Sequence, residues 1–119
     1  MANKKAIIWH NPRCSKSRGA LKLLQEHGVA VEERRYLDNP PSPEELDAVL
    51  TMLGMMPEAI VRRKEALFKA LHLNESTLTR DAWMEILSRH PKLIERPIVI
   101  IDNRAVVARP PKNVLELLD

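Results

Sequence analysis

Cysteine is almost absent from this chain: Cys14 is the only one in 119 residues. No disulfide can close within the chain, and no multi-cysteine metal site can form. Such cysteine usage reads as intracellular, where thiols stay reduced. Aromatic residues make up 3% of the sequence, as Trp9, Tyr36, Phe68 and Trp83. They are too few and too scattered for a base-stacking platform, so single-stranded nucleic-acid binding is not expected. Long apolar runs are also missing. Ala6 to Trp9, preceded by Lys4 and Lys5, is far shorter than a signal peptide's apolar core or a membrane span. A cytoplasmic protein with no membrane partner is the expectation. The glycines are Gly19, Gly28 and Gly54, which leaves no glycine-rich phosphate loop. His27, His72 and His90 have no carboxylate or cysteine at metal-ligand spacing, so surface or helix-end roles suit them and no metal is expected.

Neither sign of charge dominates. The chain carries 19 Lys+Arg against 16 Asp+Glu, a formal +3, and the basic residues spread from Lys4 to Lys112 without forming a block. That distribution gives no electrostatic footprint for nucleic acid. With 45% apolar and 29% charged residues the composition is that of an ordinary globular protein, and the length suggests one domain over residues 1–119.

Ala6-Ile7-Ile8-Trp9 ahead of His10-Asn11-Pro12 fits a buried strand ending in a turn. From Ser15 the pattern becomes helical, with Ala20, Leu21 and Leu24 on one face and Gly28 where a left-handed cap is expected. Val29, Val31 and Tyr36-Leu37 suggest a second strand, and the charged run Glu32 to Arg35 makes it an edge. Ser42-Pro43-Glu44-Glu45 is a helix start with a capping box, which accounts for acidic residues that otherwise resemble a paired-carboxylate site. Leu46, Val49, Leu50 and Leu53 give that helix its apolar face, and Gly54 closes it. Pro57 to His90 reads as all-helical, with Thr79 as a cap. Ile98 to Ile101, Asp102-Asn103 and Ala105 to Val107 read as a hairpin, and Val114-Leu115-Leu117-Leu118 as a closing helix. This order predicts an α/β fold of the thioredoxin-like type, a mixed sheet with a helical insertion at about residues 42–90. Its ligand edge would carry the loop after the first strand.

Cys14 lies in that loop, at the strand-to-helix junction. A thiol reacts as thiolate, and a helix N-terminus and nearby cations both favour the charged form. Unpaired N–H groups at the helix start can hold an oxyanion, Arg13, Lys16 and Arg18 add positive charge, and His10 stands close enough to tune the thiol. A lone cysteine is most often a small buried hydrophobe. The polar flanks Pro12, Arg13, Ser15, Lys16 and Ser17 are not those of a residue facing an apolar core.

The stretch His10-Asn11-Pro12-Arg13-Cys14-Ser15-Lys16-Ser17-Arg18 resembles the His-Asn-Pro-x-Cys-x-x-Ser-Arg loop of the glutaredoxin-coupled arsenate reductase family. Tyr36-Leu37-Asp38-Asn39-Pro40-Pro41 is similar to that family's Tyr-Leu-x-x-Pro-Pro linker. Arg62 after Ile60-Val61, Arg96-Pro97-Ile98-Val99 and Ala108-Arg109-Pro110 resemble its three arginine segments. The resemblance covers nearly the whole chain. It implies Cys14, Arg62, Arg96 and Arg109 as catalytic residues, with His10, Asn11, Ser17 and Arg18 completing the anion-binding loop. The thioredoxin-like fold leaves Arg96-Pro97 open to a cis bond, although most X–Pro bonds are trans.

The implied activity is reduction of arsenate to arsenite through a covalent adduct on Cys14. Glutathione is the implied co-substrate, glutaredoxin the partner protein, and no bound cofactor is implied. Planar guanidinium forks suit a tetrahedral oxyanion. Where the family's best-known members have Gly-Thr after the cysteine, this chain has Ser15-Lys16. That departure leaves a second reading, a glutathione-dependent thiol oxidoreductase acting on another substrate. A third is a redox-sensing regulator that binds RNA polymerase, since such regulators share the fold. Those carry Cys-x-x-Cys, whereas Ser17 occupies the fourth position here.

Overall fold

The computed structural model describes residues 5–73 and 78–118. Four strands and four α-helices are found among them, in the order β1 (Lys5–Trp9), α1 (Ser15–Glu26), β2 (Ala30–Arg34), α2 (Pro43–Leu53), α3 (Ala66–Ala70), α4 (Arg80–Arg89), β3 (Ile98–Ile101) and β4 (Arg104–Val107). The chain forms two compact units. The first comprises Met1–Asn39 with Arg96–Asp119, and the second Pro40–Glu95.

The first unit holds one mixed sheet of order β2-β1-β3-β4. β1 and β2 run parallel, with Ala6 opposite Val31 and Ile8 opposite Glu33. Parallel neighbours need a crossover, and α1 provides it. β3 lies antiparallel to β1, with Trp9 opposite Ile98, and β4 antiparallel to β3. Asp102 takes a left-handed conformation at φ 56° in the hairpin turn, as an Asp can. Ala6, Ile8, Val99 and Ile101 from the sheet pack with Ala20 and Leu24 of α1 and with Val114 and Leu117 of a 3-10 segment. Burial of this kind contributes about 1.5–3 kcal/mol per large side chain and fixes the start of α1 against the end of β1.

β2 is an edge strand, as its charges suggest, and it ends at Arg34, short of Tyr36-Leu37. Gly28 has φ 72°, so the left-handed turn after α1 stands where the sequence places it. The closing helix spans Pro111–Leu117, is wound as a 3-10 helix, and stops before Leu118.

In the second unit α2 has the expected capping box: Ser42 Oγ accepts from Glu45 N–H, and the Glu45 carboxylate accepts from Ser42 N–H, both at 3.1 Å. Gly54 caps the other end at φ 67°. α2 packs on α4, and Thr79 caps α4 through Ala82 N–H. The span from Pro57 to His90 is not all-helical. Val61 forms an antiparallel bridge with Ile94, because Arg62 N–H and Glu95 N–H reach the carbonyls of Leu93 and Ile60. Residues 74–77 of that span lie outside the described residues. No helix among the described residues is long and apolar enough to cross a membrane.

Candidate active site

Strand direction in the first unit decides what meets what. β1 ends at Trp9, opposite the first residue of β3, and Ile98 in turn faces Val107 at the end of β4. The loop after β1, the segment before β3 and the segment after β4 therefore share one end of the sheet. His10 N–H donates to Arg34 O at 2.8 Å, and Ala108 N–H to Pro97 O at 2.9 Å, so pairing continues a residue past the strands. This brings His10, Asn11, Cys14, Ser17, Arg18, Arg96 and Arg109 to one edge.

Cys14 stands at the N-cap of α1 in extended conformation, φ −93° and ψ 123°. Its N–H donates to Asn11 O at 2.9 Å, and Arg13 N–H donates to Asn11 Oδ1 at 3.0 Å, which closes the loop into a tight turn. Arg18 reaches back from α1 with its guanidinium on Pro12 O at 2.9 Å. Ser17 is fully buried and accepts Asn11 N–H on its hydroxyl at 3.1 Å. His10, also buried, places Nδ1 2.6 Å from the same hydroxyl. Asn11, Ser17 and Arg18 thus hold the loop's shape.

Partial burial pushes the Cys14 thiol up. The first-turn N–H groups of Ser17 and Lys16 and the guanidinium of Arg96 favour the thiolate, outweigh that effect and hold the thiol below the ordinary cysteine range. Arg96 is half-buried and also interacts electrostatically with Tyr36. The Arg96-Pro97 bond, left open by the sequence, is cis, and so is Arg109-Pro110. Burial drives the His10 imidazole below its usual value, Glu33 opposes this, and Arg35 and Arg18 reinforce it, so the ring is neutral near pH 7.

Arg109 donates to Arg96 O at 3.2 Å. Arg62 belongs to the second unit, where it pairs with Glu65 and lies 3.9 Å from Glu95. Sequence reasoning gave no role to Tyr36 or Glu33. Tyr36 was visible as part of the linker motif and of the suggested second strand, and its contact with Arg96 depends on pairing between distant segments. Glu33 could have been found from strand alternation, which puts it on the same face as Ile8 and His10. Among the described residues no group of His, Cys, Asp and Glu is suited to hold a metal.

What the edge offers is one activated sulfur, backbone donors beside it, and guanidinium groups around it. The chain is similar to known proteins over almost its full length. An arsenate reductase of Neisseria meningitidis serogroup A is 45% identical over 93% of this chain and 96% of its own. The Escherichia coli protein YfgD, described only as uncharacterized, is 44% identical over 97% and 98%. An arsenate reductase structure from Vibrio cholerae superimposes with a TM-score of 0.93 at 45% identity, covering 97% and 98% of the two chains. That likeness confirms the thioredoxin-like mixed sheet. The sequence pattern of the ArsC family spans residues 9–117, from the end of β1 to the last 3-10 turn, and with it the chain belongs to the ArsC family.

Proposed function

We propose that the protein reduces arsenate to arsenite with Cys14 as nucleophile, and that glutathione and glutaredoxin supply the electrons. The observation that carries this reading is the place of Cys14 at the N-cap of α1: the first-turn N–H groups and the Arg96 guanidinium favour the thiolate where an oxyanion would sit. The thiolate attacks arsenic, and one oxygen leaves as water after protonation. A Cys14–S–As(V) adduct results.

Arsenic(V) then needs two electrons, which two thiols provide on becoming one disulfide. This chain has one cysteine and cannot form a disulfide within itself. One thiol from glutathione and one from glutaredoxin balance the reaction: a mixed disulfide forms, arsenic falls to the +3 state, and water releases arsenite and the Cys14 thiol. Such reductants place the reaction in the cytoplasm. Arg96 and Arg109 hold the oxyanion, while Arg62 enters on the family pattern alone.

The test is direct. Purified protein given arsenate, glutathione and glutaredoxin should yield arsenite, and Cys14→Ser should yield none. Arsenite at wild-type rate from Cys14→Ser would refute the mechanism. Ser15-Lys16 favours one rival, a glutathione-dependent thiol oxidoreductase with another substrate. It predicts rapid alkylation of Cys14 with no arsenite formed.

A further inference from the structure

Behind the cysteine lies a polar chain that the proposed chemistry does not use. His10 is 3% exposed and sits between two partners. Its Nδ1 is 2.6 Å from Ser17 Oγ, and its Nε2 is 3.8 Å from Glu33 Oε1 on β2. Register explains the second contact. Glu33 pairs with Ile8 and shares its face of the sheet, so the carboxylate lies alongside the residue two further on, which is His10.

A neutral imidazole has one proton for two nitrogens, and its partners choose the tautomer. Ser17 Oγ already accepts Asn11 N–H at 3.1 Å, so the serine's own proton is available for Nδ1. The Glu33 carboxylate favours an N–H dipole pointing toward it and so favours the proton on Nε2. Both influences select the same arrangement: Nε2–H toward Glu33, and the Ser17 hydroxyl donating to Nδ1. The opposite tautomer would aim an Nε2 lone pair at a carboxylate and, with Ser17 Oγ accepting both Nδ1–H and Asn11 N–H, would turn the serine proton away from the ring. The other groups facing the ring are Arg35, just after β2, and Arg18 on α1, both cationic and both without an acceptor for Nε2–H.

We propose that Glu33 is a positioning residue for Cys14: its carboxylate holds His10 as the Nε2–H tautomer, which commits the Ser17 hydroxyl and fixes the helix turn whose N–H groups face the sulfur. Ser17 is the joint, because its side chain is held by His10 while its N–H lies in the first turn of the helix that begins at Cys14. The consequence for Cys14 rests on the reading of that residue as nucleophile. The tautomer itself does not.

The test compares wild type with Glu33→Gln, Glu33→Asp and the control Glu32→Gln, whose carboxylate pairs with Lys5 instead. Nitrogen-15 NMR of the His10 ring, in resting protein without arsenate, should show the proton on Nε2 at neutral pH. Glu33→Gln should shift the tautomer ratio several-fold toward Nδ1–H and lower the pH midpoint of the ring. Glu33→Asp should restore most of the ratio, and Glu32→Gln should leave it unchanged. A wild-type ring protonated on Nδ1, or a Glu33→Gln ring with an unaltered ratio, would overturn the proposal. Alkylation of Cys14 read against pH then tests the link onward. Loss of a nearby negative charge alone would lower the thiol midpoint, whereas loss of positioning raises it, so a fall in Glu33→Gln also overturns the proposal. Absence of arsenate turnover in wild type would strike the functional reading and leave these outcomes standing.

Discussion

Arg109 donates from Nη1 to the carbonyl oxygen of Arg96 at 3.2 Å, so one candidate guanidinium braces the backbone that carries the other. The two roles should separate on substitution. Arg96 touches the sulfur, and its loss removes a charge-assisted hydrogen bond of about 1.5–3 kcal/mol, which corresponds to roughly 10- to 100-fold in rate. Arg96→Lys keeps the charge without the fork and should recover only part of it. Arg109→Ala should lower arsenite formation as well, while alkylation of Cys14 stays close to wild type. Rates of arsenite release and of alkylation, measured side by side, check both.

The thiol titration tests the activation argument alone. Backbone donors and Arg96 favour the thiolate against the opposing effect of burial, so the acid limb of the alkylation profile should lie below that of a free cysteine at about 8.5. Removing Arg96 takes away a donor and a positive charge, and the limb should move to higher pH. A Cys14 profile that coincides with that of a free thiol would show the donors to be ineffective.

How far the sequence revealed this arrangement depends on the range of the forces involved. The capping box at Ser42, the left-handed glycines and the hairpin over Ile98 to Val107 are local features, and each stands where residues a few positions apart put it. The cysteine loop was equally legible, since Asn11, Cys14 and Ser17 bond within one turn. Alternation marks the face of Glu33, but its contact with His10 needs the pairing of β1 with β2, and that of Tyr36 with Arg96 joins the segments after β2 and before β3, so neither follows from neighbours in sequence. The bridge of Val61 with Ile94 was hidden for the same reason. The 3-10 winding of the closing helix was not legible because apolar spacing over one or two turns does not distinguish it from an α-helix.

Arg62 separates stability from activity within its own unit. Its partners Glu65 and Glu95 are partly exposed, and ion pairs of this kind contribute about 0–1 kcal/mol. Arg62→Ala should therefore melt close to wild type while losing most arsenate turnover. Equal turnover in the two proteins would remove Arg62 from the catalytic set.

Ser42 gives a stability prediction with no expected effect on chemistry. Its hydroxyl satisfies Glu45 N–H and its own N–H is met by the Glu45 side chain, so Ser42→Ala breaks half of a reciprocal pair at the start of α2. The cost should be about 1 kcal/mol, read from denaturant midpoints at unchanged slope. The alkylation rate of Cys14 should not change.

Protonation of His10 should link the site to stability at mildly acidic pH. The unfolded ring titrates near the usual value of about 6.5, and the folded ring titrates lower, because burial outweighs the help of Glu33. Between those two values the unfolded chain binds more protons than the folded one, so stability rises with pH in that window. Acidification through about 6.5 should therefore weaken the fold progressively until the folded ring itself takes up its proton. Carboxylates dominate at lower pH, but His10→Gln removes only the imidazole contribution. Urea midpoints of wild type and His10→Gln, measured from pH 8 down to about 5, should differ in slope below about 6.5, with the wild type falling faster. Parallel slopes would mean that the folded ring takes up its proton as readily as the unfolded one and that its burial between Ser17 and Glu33 does not disfavour the charge.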